Sequence, residues 1–111
     1  MKRKPERMGT GSAEFALLKA AFDGQTGIQS GQMFGKPCLK VAAKAFVAQQ
    51  NDVLAFKLSG QDHGVAMAVP GAVLWDPSGK GRPMKEWVAI PSSENAGFRR
   101  FAEAALIYVR V

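Results

Sequence analysis

The sequence predicts an α+β fold of two layers, in which an antiparallel five-stranded sheet carries helices on one face in the order α-β-β-β-α-β-β-α. The central segments alternate apolar and polar residues with a period of two, as half-buried strands do. The first and last segments repeat apolar residues at helical spacing. Because the strands are grouped rather than interleaved with helices, the pattern favours α+β over a parallel α/β fold. The 111 residues, 47% of them apolar, suit one domain with one core.

The net charge of +6 is unevenly distributed. Residues 1–10 carry four basic groups and one acidic group, and the remaining residues carry 11 basic and 8 acidic groups, so each part contributes +3. We therefore predict a disordered basic tail over residues 1–10 and a single, mildly basic domain over residues 11–111. The pI of about 9.8 overstates the case for a nucleic-acid binder.

The cysteine count and the hydropathy pattern indicate a cytoplasmic protein. Cys38 is the only cysteine, which excludes an intramolecular disulfide and a cysteine-based zinc site and fits a reducing compartment. Glu14, Lys19 and Asp23 interrupt the first apolar segment, so it is not a signal peptide. No run approaches the roughly 18 apolar residues of a membrane span, and we expect no membrane partner.

The first helix begins with Thr10 or Ser12, either of which can cap it, and places Glu14 in its first turn. Gly24 ends it. Its apolar stripe is Phe15, Leu18 and Phe22.

Alternation places the next strands around residues 39–41, 45–48 and 54–58. In the second of these, Phe46 and Ala48 alternate with Ala45 and Val47. The segment 28–34 precedes a break that Gly35 and Pro37 enforce. The Ala42-Ala43 connection is unusual, because a two-residue hairpin turn needs positive φ, which alanine adopts only with strain. A strained turn and a longer loop both remain open.

Ser59 and Asp62 resemble a capping box before a short second helix, whose predicted apolar face is Val65, Ala68 and Val69. A hairpin follows, with strands near residues 72–75 and 87–90. Ser92 or Ser93 then caps the last helix. The apolar stripe of that helix is Phe98, Phe101, Ala102, Ala105, Leu106 and Val109.

The loop of this hairpin is the main candidate for function. It combines flexible glycines with Lys80, Arg82 and Lys85, so its amides and charges can meet a phosphate or an acidic protein surface. The alternative is that these residues have no partner, because glycines and positive charges are also typical of a hairpin tip that is exposed to water. Trp75 and Trp87, which flank the loop, are expected to be core residues, the alternative being base stacking.

Catalytic, metal-binding and cofactor-binding motifs are not evident, and we predict a protein that is not an enzyme and needs no cofactor. His63 has no metal-ligand spacing around it and is predicted to be a solvated surface residue. Cys38 is most simply a small buried hydrophobe. Neither Gly35-Lys36 nor Gly79-Lys80 has the spacing of a phosphate-binding loop.

Four runs of sequence together resemble the TfoX N-terminal domain family and its single-domain relatives. The runs are Met33-Phe34-Gly35-Lys36-Pro37-Cys38-Leu39-Lys40-Val41, Lys44-Ala45-Phe46, Phe56-Lys57-Leu58 and Asp76-Pro77-Ser78-Gly79-Lys80-Gly81-Arg82-Pro83-Met84-Lys85-Glu86-Trp87-Val88. The likeness spans residues 12–109 and implies a two-layer fold with an antiparallel sheet, without a catalytic motif. TfoX proteins regulate natural competence and pair this domain with a C-terminal domain. We expect this chain to lack the second domain after Val111, and we therefore do not expect it to have the competence role.

The sequence thus favours a binding or regulatory module that contacts nucleic acid or an acidic protein through its basic loop. The alternative is a homodimeric protein-interaction domain that associates through a sheet face or edge. The candidate contact residues are Lys80, Arg82 and Lys85, with Lys36, Lys40 and Lys44 adjoining them. Whether Lys40 and Lys44 share a sheet face depends on the conformation of the Ala42-Ala43 turn. An enzyme is the third hypothesis, with a site around His63 or Cys38.

Overall fold

A computed structural model describes residues 10–110. Its helices are α1 (Thr10–Phe22), α2 (Gly60–Met67) and α3 (Phe98–Arg110), the last preceded by a 3₁₀ turn at Asn95–Gly97. Its strands are β1 (Ile28–Met33), β2 (Lys36–Val41), β3 (Lys44–Gln50), β4 (Val53–Lys57), β5 (Val73–Trp75) and β6 (Met84–Pro91). The strands form one sheet in the order β1-β2-β3-β4-β6-β5, with every neighbouring pair antiparallel. The α+β class is confirmed.

Within residues 10–110 the sheet has six strands, so the prediction of five was wrong. The additional strand is β1, which lies at the edge of the sheet in the described part of the chain and pairs there with β2 alone. Gln29, Ser30 and Gln32 are exposed. An edge strand that buries little on either face needs no apolar alternation, and for that reason the periodicity did not identify it.

Helices α1 and α3 pack on one face of the sheet, which we call the helix-side face. Phe22 of α1 meets Phe46 edge to face, with ring centroids 5.9 Å apart. Phe56 of β4 contacts Phe98 and Phe101 of α3 at centroid distances of 5.3 and 5.9 Å. Every residue predicted for the apolar stripes of the first and last helices is buried in this core.

A β-bulge in β3 overturns the strict alternation predicted for that strand. Leu39 pairs with Val47, whereas its neighbour Lys40 pairs with Ala45. Phe46 is therefore the extra residue, and both Phe46 and Val47 join the helix-side core. A bulge places two successive residues on one face, which a period of two does not allow.

The opposite face of the sheet, the second face, has a separate apolar cluster. Cys38, Ala48, Ala55 and Ala89 follow one another across β2, β3, β4 and β6, and none is more than 4% exposed. Trp75 and Trp87 belong to the same cluster, with ring centroids 5.2 Å apart. The two indoles are buried, as predicted for core residues. The small side chains leave room on this face for the large rings.

The Ala42-Ala43 connection is a two-residue turn, the strained alternative of the two considered. Ala42 has φ of 50° and Ala43 has φ of 67°. Both values lie in the left-handed region, where the Cβ of an L-residue crowds the following carbonyl. The turn therefore destabilises the hairpin relative to one with Asn-Gly at these positions.

The helix starts differ from those predicted. Helix α1 begins at Thr10, so Ser12 lies inside its first turn, and the predicted tail otherwise falls outside the described residues. Ser59 is the N-cap of α2 but its side chain makes no capping hydrogen bond, so the predicted capping box is not formed. Helix α3 begins only at Phe98, because the 3₁₀ turn occupies the residues that follow Glu94.

One prediction for the face of α2 was also wrong. Ala66 is the buried residue of this helix, whereas Ala68 is exposed. Val65 and Val69 are partly buried against the helix-side core, as predicted.

Candidate functional site

The loop between β5 and β6 is organised around the carboxylate of Asp76. Its Oδ1 accepts hydrogen bonds from Ser78 Oγ (2.8 Å) and the backbone N–H of Gly79 (3.1 Å), and its Oδ2 accepts from the backbone N–H groups of Gly81 (2.8 Å) and Arg82 (3.1 Å). The Ser78 hydroxyl above all, and then these amides, lower the pKa of Asp76. The conformation requires positive φ at Gly79 and Gly81, at 70° and 77°.

These hydrogen bonds correct one part of the sequence-based interpretation. The loop amides were expected to face a phosphate, but those of Gly79, Gly81 and Arg82 already donate to Asp76. What the loop offers to a partner is therefore its side chains. Residues 78–83 are exposed, so the charged groups of the loop are accessible.

Gln50, near the end of β3, holds the start of the loop. Its Oε1 accepts the indole N–H of Trp75 at 2.9 Å, and its Nε2 donates to the carbonyl of Pro77 at 3.3 Å. Because β2 and β3 are antiparallel, with Cys38 opposite Ala48, the end of β3 lies beside the start of β2. The side-chain amide of Gln50 therefore accepts the hydrogen bond of the buried Trp75 indole and also holds the loop near Lys36, which begins β2.

A cavity of about 410 Å³ lies between this loop and the turn that joins β1 to β2. Its lining combines apolar surface with two cations, and consists of Phe34, Lys36, Pro77, Ser78, Arg82 and Met84. The fold thus brings Lys36 and Arg82 to one site from distant parts of the chain. Within residues 10–110, neither side chain is paired with a carboxylate.

Phe34 is the aromatic residue of this site, and it was missed as a contact residue by sequence analysis, as were Pro77, Ser78 and Met84. It occupies the two-residue turn between Met33 and Lys36, where its φ of 52° is left-handed, and it is 64% exposed. A bulky residue with positive φ is a conformational outlier. Backbone strain of this kind clusters at functional sites. The available signal was a large aromatic residue immediately before Gly35 at a break between strands.

The other predicted contact residues are placed less uniformly. Lys80 and Lys85 are exposed on the loop and on β6, as expected for a contact surface. Lys40 pairs with Ala45, which packs on the second face. Lys44 pairs with Val41 of the helix-side core and lines a groove with residues of α3, so it lies on the opposite face from Lys40. The two lysines do not share a face, because the two-residue turn places Lys44 opposite Val41, and Val41 and its neighbour Lys40 lie on opposite faces of the sheet.

Neither His63 nor Cys38 is part of the cavity. The Nε2 of His63 lies 2.8 Å from the carbonyl oxygen of Lys85, which ties α2 to β6. Cys38 is fully buried in the second-face cluster. Burial raises the pKa of its thiol, against the opposing effect of the Lys40 charge. In residues 10–110, no three His, Cys, Asp or Glu side chains are grouped closely enough to hold a metal ion.

The helices of the described part of the chain are too short or too polar to cross a membrane. Comparison of the chain with protein-family models, with curated proteins and with solved structures gave no match.

Proposed function

We propose that this chain is a non-enzymatic, cytoplasmic binding module of the TfoX N-terminal type. It contacts an anionic partner, nucleic acid or an acidic protein, through the loop of residues 79–85 and the adjoining cavity. The observation that carries this proposal is the convergence of Lys36 and Arg82 on one cavity. A partner that covers this cavity removes both cations from water, which is unfavourable unless the partner supplies negative charge. An anionic ligand is therefore the natural complement.

The resemblance at sequence level supports the same site. Two of the runs that carry it, residues 33–41 and 76–88, supply every residue that lines the cavity. Asp76 is the acidic residue of the loop between β5 and β6, and its oxygens accept hydrogen bonds from the loop itself. The side chains of Lys80, Arg82 and Lys85 therefore give the contact surface its positive charge.

The proposal is tested by fluorescence anisotropy with labelled DNA and with a labelled polyglutamate peptide at several salt concentrations. We expect binding to weaken steeply with salt. The double variant Arg82→Ala/Lys85→Ala should weaken it further. The matched control, Lys19→Ala/Arg110→Ala, removes the same charge from exposed positions of α1 and α3, away from the cavity, and should retain binding. Salt-independent binding, equal losses in the two double variants, or no binding to either probe would refute the proposal.

A homodimer is the second candidate, and β1 is the observation that favours it. This edge strand has six residues, none charged and none proline, and it pairs with β2 without a bulge. Natural edge strands usually carry a charged residue, a proline or a bulge, because each of these blocks pairing with another chain. Strand β1 has none of the three. Light scattering should give the dimer mass at high micromolar concentration, and Ser30→Lys/Gln32→Lys should restore the monomer. A monomer at every concentration would exclude this candidate.

A further inference from the structure

We infer that the cavity binds one base of a single-stranded nucleic acid, with Phe34 as the stacking surface and Lys36 and Arg82 as contacts to the neighbouring phosphates. This inference rests on the proposed function and narrows its partner from an anionic macromolecule to an unpaired strand. It depends on three features of the cavity: the exposure and strain of Phe34, the placement of the two cations, and the openness of the site to solvent.

Phe34 is unfavourable for folding in two ways. The residue is 64% exposed, and its backbone adopts a left-handed conformation that Asn or Gly would adopt at lower cost. Packing in the core does not offset these costs, since Phe34 belongs to neither apolar cluster. An aromatic ring held at the tip of a hairpin against these preferences is explained by contact with a ligand. A flat ring of this kind stacks on any base, because every base presents a π-face.

The two cations line the same cavity as Phe34, so they can contact the phosphates that flank a base stacked on its ring. Lys36 follows Phe34 by two residues, and Arg82 reaches the same cavity from the other loop. Single-strand binding sites combine a positively charged groove with aromatic stacking surfaces. Asp76 fixes the backbone of Arg82 through its N–H, so the point from which this side chain extends into the cavity is set before the ligand arrives.

The exposure of Phe34 also distinguishes a strand from a small ligand and from a duplex. Sites for small molecules bury about 70–90% of the ligand surface, which requires an enclosed pocket. This cavity leaves its main aromatic wall open to solvent, as suits one unit of a longer chain. A base inside a duplex is already stacked and paired, and reaching Phe34 would require its extrusion at a cost of about a few kcal/mol.

The test compares three labelled ligands by fluorescence anisotropy: oligothymidylate, its duplex with oligoadenylate, and an abasic strand of the same length. The native chain should bind oligothymidylate about tenfold more tightly than the abasic strand, and more tightly than the duplex. Phe34→Asn should abolish the preference for bases, whereas Phe34→Trp should retain it. Because Asn accepts positive φ, Phe34→Asn should also raise the melting temperature, so its loss of binding is not a loss of folding.

Lys36→Ala/Arg82→Ala provides a second and independent readout. Removing two phosphate contacts should reduce the slope of log K against log salt by about 1.4, for the intact and the abasic strands alike. Equal affinity for oligothymidylate and the abasic strand, or full base preference in Phe34→Asn, would overturn the inference and leave nucleic-acid binding standing. Binding of polyglutamate alone would also overturn it while sparing the proposed function. Absence of binding to every probe would refute both.

Discussion

The backbone N–H of Arg82 donates to Asp76 Oδ2 at 3.1 Å, so one carboxylate fixes the residue whose side chain lines the cavity. The same carboxylate holds Gly79 and Gly81. Asp76 is therefore a positioning residue: it orders a glycine-bearing loop that would otherwise sample many conformations. The order of this loop, and with it the position of Arg82, is tied to the ionised state of Asp76.

Lowering the pH should disorder this loop. Hydrogen bonds to the ionised form lower the pKa of Asp76 from its ordinary value of 3.8. A lowered pKa in the folded state means that the ionised carboxylate stabilises the loop fully above about pH 4, and that this contribution is lost as the pH falls through the lowered value. NMR amide shifts of Gly81 and Arg82 should titrate with a midpoint below 3.8. A midpoint at or above it would contradict the role of Asp76.

Replacing Ala43 by glycine should stabilise the chain. Ala43 has φ of 67°, and the left-handed conformation costs an alanine roughly 1 kcal/mol more than a glycine. We expect Ala43→Gly to raise the free energy of unfolding in urea by about 0.5–1 kcal/mol, after allowance for the greater freedom of glycine in the unfolded chain. The control is Ala16→Gly on the exposed side of α1, which should lower it by about 1 kcal/mol. Destabilisation by both variants would refute the turn geometry.

Replacing Gln50 by leucine should destabilise the chain and alter its fluorescence. The substitution leaves the indole N–H of the buried Trp75 without its acceptor, which costs about 1–3 kcal/mol. Tryptophan emission and urea unfolding measure the two effects. Gln49→Leu is the matched control, since the Gln49 side chain bonds only an exposed turn carbonyl, and its effect should stay within about 0.5 kcal/mol. Equal effects of the two variants would count against the anchoring role of Gln50.

Enlarging a small residue of the second face should also destabilise the chain. Ala55 is 1% exposed and packs in the cluster that contains Trp75 and Trp87. Ala55→Leu adds volume to a filled site, with an expected loss of about 1–3 kcal/mol in unfolding free energy. Ala16→Leu, on an exposed position of α1, should be nearly neutral. An unchanged stability in Ala55→Leu would mean that this face has room for larger side chains.

The sequence by itself determined the elements whose signals are local. The stripe of α3 from Phe98 to Val109 and the exposed basic loop around Arg82 depend on residues close together in the chain, and the structure confirms both. Hydrophobic periodicity predicts which side of a helix or strand is buried, because that side repeats along the chain itself.

Tertiary structure decided the rest, since it depends on contacts between distant segments. Strand β1 is held by pairing with β2 rather than by its own apolar pattern, and the bulge at Phe46 is a matter of register between two strands. The cavity has the same origin. Lys36 and Arg82 meet only because strand pairing and Gln50 bring two distant hairpins together, and no pattern local to either hairpin contains that information.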